Sequence, residues 1–170
     1  MSYFKGDCKV KVLNKNSLLE EKKISDIKVR DTIVSWDDLA EEWTYSKVKE
    51  IYSDKKLSDF CEQNIELGYE GIGYFSINSD KNLRCTPSTS FLTLMGWQSF
   101  FPISSLQPYK NGAPIQYLGR NQVVFKTNGY WKGIESVEFI PCTDEIVYSL
   151  NIKEHYTYLV SDFLVHDKRN

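Results

Sequence analysis

The sequence predicts an all-β fold, on three observations. Short runs rich in Val, Ile, Tyr and Phe recur along the 170 residues, and such side chains pack well on a pleated surface. Clusters of Gly, Asn, Asp and Ser ("NKNS", "INSDKN", "KNGAP", "TNGYWKG") separate them, supplying the φ angles and local hydrogen bonds that tight turns need. Helical patterning is confined to two short stretches, neither long enough to organise a domain.

In chain order, "CKVKVLN" alternates apolar and polar residues, and "KVKEIYS" sets Val48, Ile51 and Tyr52 among charges. "GYFSINSD", "IQYLG", "QVVFKT", "IESVEFI", "IVYSLNI" and "YTYLVSDFLV" follow as further strand candidates. The helical candidates are "WDDLAEEW", two turns with Asp37 near the start, and "SDFCEQNIELG", with Phe60, Ile65 and Leu67 before a Gly stop. An internal echo links "YSKVKEIYSDKK" and "GYFSINSDKNLRCT" to "KGIESVEFIPCTDE" and "IVYSLNIKEHYTYLV", which suggests two related β-subdomains. The length fits one domain spanning 1–170.

Composition narrows the function classes. A net charge of -2 gives no electrostatic reason to expect nucleic acid or an anionic membrane as partner. No apolar run approaches the length of a membrane span, and "MSYFKGDCKV" lacks a signal peptide's apolar core. The expectation is an intracellular, cytoplasmic protein in a reducing compartment. Four scattered cysteines, without a C-x-x-C pair, read as buried thiols and predict no metal site. Of the two histidines, one stands in "DFLVHDKRN", where an apolar run leads into His166 and Asp167 just before the end.

Three blocks carry the chemistry. The first is "SYFKGDCKVKVLN" followed by "KKISDIKVRDTIVSWD", the second "LRCTPSTSFLTLMGW", the third "DEIVYSLNIKEHYTYLVSDFLVHD". In order and spacing they resemble the Hint family, the self-processing domains of inteins, bacterial-intein-like proteins and hedgehog proteins. The corresponding family patterns are "G-D-T-x-V" with "I-x-D-L-x-x-G-D-x-V", then "T-P-x-H-x-F-L-T-x-x-G-W", then "VYDLTV" with "HTYFV" and "LVHN". The resemblance implies a horseshoe of strands with two pseudo-two-fold related β-subdomains and short helices, its termini brought together.

The family's chemistry accounts for the residue types. A Cys or Ser at the first position attacks the preceding carbonyl and turns the peptide bond into a thioester or ester, which needs oxyanion donors and a proton shuttle. At the far end an Asn attacks its own main-chain carbonyl, assisted by the preceding His. Intramolecular attack gains from effective molarity, so the resemblance implies no cofactor.

Carried over by position, the nucleophile falls on Ser2, with Cys8 as the alternative, and Met1 and Lys168 flank the two scissile bonds. Thr86 matches the pattern's Thr and would hold a hydroxyl near the first bond. Thr89 stands where the family has His, and a hydroxyl does not shuttle protons near neutral pH. Ser149 replaces an Asp that tunes the nucleophile. The family's interior His falls on Tyr156, beside His155, which on a strand would point to the opposite face as an exposed histidine. His166 matches the penultimate His, and Asp167 takes the place of the terminal Asn, attacking to give a cyclic anhydride. Phe91, Leu92 and Trp97 read as core.

The implied activity is cleavage in cis of the domain's own N- and C-terminal bonds, with splicing left open in the native context, by a monomer with residues 2–167 as the domain proper and 168–170 as downstream flank. Lys168 offers no nucleophile for splicing, and no endonuclease insert is visible. Such domains also sit beside ubiquitin-like modules in polyproteins. The departures at 89, 149, 156 and 167 leave open a catalytically impaired Hint scaffold, and the strand content alone leaves open an all-β binding module.

Overall fold

The computed structural model describes residues 1–101, 116–118, 123–125 and 131–167. The turn signals at 110–114 and 127–130, and Lys168, lie outside them. The first strands are β1 (Phe4–Lys5), β2 (Lys9–Leu13), β3 (Leu19–Lys23), β4 (Thr32–Asp37) and the long β5 (Glu42–Lys56). A 3-10 turn (Leu57–Phe60) and helix α1 (Cys61–Glu66) come next. The middle holds β6 (Gly73–Ile77), β7 (Ser90–Thr93), β8 (Gly96–Ser99), β9 (Gln116–Tyr117), β10 (Val123–Phe125) and β11 (Trp131–Gly133). The chain closes with β12 (Val137–Pro141), β13 (Ile146–Ile152), β14 (Thr157–Val160) and β15 (Phe163–His166).

Among the described residues the main sheet runs β1-β13-β5-β4-β2-β14-β15-β7-β10-β11, with β3 on β2 and β8 and β9 beyond β7. Strands β12 and β6 form a separate antiparallel pair, tied to β1 through bridges from Cys85 to Phe4 and Phe75. The echo between 45–86 and 132–160 would relate β5 to β12 and β6 to β13. A two-fold operation would then carry the pair β5·β13 onto β12·β6, and both pairs exist, both antiparallel.

Helix α1 and the 3-10 turn before it satisfy the second helical expectation, ending at Gly68 with φ +91°. The first expectation is overturned. "WDDLAEEW" is a hairpin in which Asp37 pairs with Glu42 and Trp36 with Trp43. The carboxylate of Asp37 accepts the Leu39 and Ala40 N–H groups at 3.0 and 3.1 Å, stabilising the turn, while the two indoles pack edge to face at 5.0 Å. Cross-strand aromatic pairing and a side-chain-stabilised turn outweigh helix propensity here. "YTYLVSDFLV" is likewise two strands, β14 and β15, joined by Ser161 and Asp162 with φ of 49° and 65°. Two central residues at positive φ define the turn that matches the strands' right-handed twist.

The core is built by the apolar faces of these strands, including Phe4, Val10, Ile33, Phe75, Phe91, Leu150, Val160, Phe163 and Val165. Cys8 belongs to that core, 1% exposed. Burial pushes its thiol from 9.0 up to about 12, and its Sγ lies 3.5 Å from the Arg84 carbonyl oxygen. Attack requires a thiolate, so this burial disfavours Cys8 as the alternative nucleophile. Gly6, beside it, packs where a Cβ would come within 2.9 Å of the Tyr148 ring. No helix among the described residues is long and apolar enough to cross a membrane.

Arg30 occupies the glycine of the "I-x-D-L-x-x-G-D-x-V" pattern and has φ +76°. Arg30→Gly is expected to raise stability by about 1 kcal/mol by removing a left-handed non-glycine residue; an unchanged or lower Tm would contradict this. At neutral pH Cys8 should carry about 10³-fold less thiolate than an ordinary cysteine. Alkylation followed by peptide mass mapping should therefore label exposed Cys142 well before Cys8, and equal rates would refute the assignment.

Candidate functional site

The N-terminal segment is laid down as a strand between two others. On one side Phe4 and Lys5 pair with Tyr148 and Val147 of β13. On the other, the Lys5 N–H donates to the Arg84 carbonyl and the Thr86 N–H to the Tyr3 carbonyl, both at 3.0 Å. Thr86 also holds the Tyr3 amide, accepting its N–H on Oγ1 at 3.3 Å. The Met1–Ser2 peptide is thereby fixed one residue upstream, and Ser2 is completely buried.

The second block supplies a turn against that peptide. Thr86-Pro87-Ser88-Thr89 closes with the Thr89 N–H on the Thr86 carbonyl at 3.2 Å, with Pro at the position whose fixed φ suits it. The turn aims the Ser88 hydroxyl at the Met1 carbonyl oxygen, to which it donates at 2.7 Å. The next residue, Ser90, opens β7 and donates its N–H to Ser2 Oγ at 3.1 Å. Thr89 Oγ1 is 3.5 Å from Thr86 Oγ1 and is buried. No spacing rule pointed to Ser88 or Ser90. The signal available was the Pro in "TPSTS", which fixes a turn and so turns a neighbouring hydroxyl outward.

The third block brings the other end of the chain to the same place. In the β14–β15 hairpin Thr157 pairs with His166, and the Asp167 N–H extends the ladder to the Tyr156 carbonyl at 2.9 Å. β15 also pairs with β7, placing His166 opposite Ser90. Ser2 Oγ donates to the His166 carbonyl oxygen at 2.7 Å, and the Ser2 N–H donates to Asp167 Oδ1 at 3.3 Å. The other carboxylate oxygen of Asp167 accepts a hydrogen bond from Ser149 on β13. Strand β5 carries an extra residue opposite the step from Val147 to Ser149, a bulge of the kind that re-aims side chains at sites. The His166 ring stands against Trp97, centroids 4.9 Å apart, with Tyr156 at 6.2 Å. Trp97 is core, as expected, and also flanks this imidazole.

Of the sequence-predicted residues, Ser2, Thr86, Thr89, Ser149, His166 and Asp167 converge, with Met1 beside them. The expected strand placement of His155 and Tyr156 is corrected. Both lie in the connection between β13 and β14, where Tyr156 has φ +59° and contributes its carbonyl oxygen to Asp167. His155 is half-buried rather than exposed, its Nδ1 3.9 Å from Asp37 Oδ2, because the hairpin turn after β4 folds against it. Among the described residues no three of His, Cys, Asp and Glu cluster as metal ligands would.

Chemically, the arrangement places a hydroxyl next to the peptide bond it would attack. One side-chain donor sits on the carbonyl oxygen, one backbone donor on the attacking oxygen and a carboxylate on the amide nitrogen. It encloses these groups where water is scarce, so each polar contact counts for more than at a surface.

No family model matches the sequence, and no curated protein matches it. Solved structures do. The chain is similar to a DnaB intein from Synechocystis sp. PCC 6803, with TM-score 0.69 and 14% identity over 99% of this chain and 100% of that one. It is similar to the gp41-1 intein, with TM-score 0.63 and 14% identity over 98% and 99% of the two chains. It is also similar to a bacterial intein-like domain from Clostridium thermocellum, with TM-score 0.59 and 17% identity over 98% and 99%. With its curled all-β sheet and adjoining ends, the chain has the Hint fold of inteins and bacterial intein-like domains.

Proposed function

We propose that this domain processes itself, cleaving the peptide bonds at its own two ends. The observation that carries the reading is the joint placement of Ser2 Oγ, 2.7 Å from the His166 carbonyl oxygen, and Ser88 Oγ, 2.7 Å from the Met1 carbonyl oxygen. At the N-terminal bond, Ser2 Oγ attacks the Met1 carbonyl carbon and converts the amide to an ester. The Ser88 hydroxyl stabilises the oxygen as it gains charge, and Ser90 stabilises the attacking oxygen. At the C-terminal bond, the Asp167 carboxylate attacks its own main-chain carbonyl carbon and closes to an anhydride as the carbon–nitrogen bond breaks. The departing amine of Lys168 takes its proton from His166 and leaves with whatever follows. The domain acts as a monomer in cis, on flanking polypeptide. Cleavage rather than ligation is the outcome, because Lys168 supplies no hydroxyl or thiol to accept the acyl group. The inteins among the structural neighbours support self-processing as the activity class.

A second reading is favoured by Thr89, a buried hydroxyl where the family's imidazole would stand. In that reading the scaffold is intact and the first step is slowed or lost.

A precursor with distinct tags at both ends, incubated with and without hydroxylamine to trap the ester, separates the readings by intact mass. Release of both tags is expected. Intact precursor after long incubation would leave only the impaired scaffold, and a ligated tag–tag product would overturn cleavage alone. Ser2→Ala is expected to abolish N-terminal release. Ser88→Ala should slow it about 10²-fold, the loss typical of one oxyanion donor; a Ser88→Ala rate equal to wild type would remove that role.

A further inference from the structure

The first step needs a proton carrier, and the position that should supply one holds Thr89. The hydroxyl proton of Ser2 has to leave as Oγ attacks, and the Ser2 nitrogen has to gain a proton as its bond to Met1 breaks. A threonine hydroxyl near neutral pH does neither. Among the described residues, the ionisable side chain bonded to the Ser2 amide is at the opposite end of the chain: Asp167, whose Oδ1 accepts the Ser2 N–H at 3.3 Å. Its second oxygen is fixed by the Ser149 hydroxyl and its backbone by the Tyr156 carbonyl. Three anchors hold this carboxylate against the leaving nitrogen.

We infer that the Asp167 carboxylate is the proton carrier of the N-terminal acyl shift, a catalytic role separate from its attack on its own carbonyl and resting on the self-processing reading above. Ser2 Oγ gives up its bond to the His166 carbonyl, and a lone pair on it forms the bond to the Met1 carbonyl carbon, whose oxygen becomes an oxyanion held by Ser88. The Oγ proton passes to Asp167. The resulting carboxylic acid gives that proton to the Ser2 nitrogen as the carbon–nitrogen bond breaks and its electron pair returns to nitrogen. The products are an ester and an amine, Asp167 ends as the carboxylate it began as, and no outside acid or base is consumed. Ser149 is a positioning residue in this scheme, since it touches the carboxylate and not the reacting atoms.

The test is Asp167→Asn in the double-tagged precursor, with hydroxylamine capture at the N-terminal end and release at the C-terminal end followed separately. An amide of the same shape keeps the packing but does not carry protons, whereas it is the better cyclising group. N-terminal capture is expected to fall about 10²-fold, the contribution typical of a positioned acid–base group, while C-terminal release rises. That opposite movement is a readout a merely structural role would not give. Capture within threefold of wild type in D167N overturns the inference and leaves the self-processing reading standing. Wild-type precursor that releases only its C-terminal tag overturns it too, and precursor intact at both ends overturns both. If D167N shows no cooperative melt, Asp167→Glu is read instead. It keeps a carboxyl within one methylene of the nitrogen and should retain capture within tenfold; loss beyond that at wild-type Tm overturns the assignment.

Discussion

The contact on which the rest of the site depends is the one between Ser2 and the His166–Asp167 pair, 164 and 165 residues apart in sequence. Closing a loop of that length costs about 4–5 kcal/mol in its length-dependent part alone, and two weak hydrogen bonds do not supply that. The closure is held by pairing on both sides. The first strand is sandwiched between β13 and the Arg84–Thr86 segment, and the last between β14 and β7. β7 is the hinge of the arrangement, because its first residue, Ser90, pairs with His166 and donates its N–H to Ser2. A site assembled this way forms only when the whole sheet does.

Burial sets the second constraint. Ser2, Thr86, Thr89 and Ser149 are inaccessible and Asp167 is 2% exposed, and a carboxylate in such surroundings is costly unless hydrogen-bonded. The Ser149 hydroxyl and the Ser2 N–H meet that need. The resemblance places an acid at 149 and an amide at 167, whereas this chain has a hydroxyl and an acid. Since the two side chains touch, the exchange leaves the contact with one carboxyl, and at 167 that carboxyl accepts the Ser2 N–H. Two acids here would repel, and one would be driven to hold its proton.

Much of this was legible in the sequence, and the exceptions have physical reasons. Strand composition and turn residues located most of the sheet, and motif order placed Ser2 and Asp167 at one centre. The hairpin at "WDDLAEEW" escaped notice because its helical spacing is real; what defeats it is the pairing of Trp36 with Trp43 and an Asp37 turn that periodicity does not report. The strand pattern at His155 and Tyr156 is misleading because a positive φ at Tyr156 ends the extended conformation, and nothing in an aromatic side chain announces it. Ser88 and Ser90 are illegible in the sequence for a different reason. Serines are common in turns, and only the position of the Met1 carbonyl and Ser2 Oγ distinguishes these two.

The pairing of strands distant in sequence brings the ends of the chain together. If each repeat closed its own sheet, β5 would pair with β6 and β12 with β13. Instead β5 takes β13 and β6 takes β12, so each half completes the other. That exchange leaves one edge of β13 open beyond β5, and β1 occupies it. The first residues of the chain are thus seated on a strand from its last third, one residue from Ser149 on β13. Ser2 meets the Asp167 carboxylate because β5 pairs with β13 and β1 lies along β13's other edge, so their closeness follows from the topology rather than from any local motif.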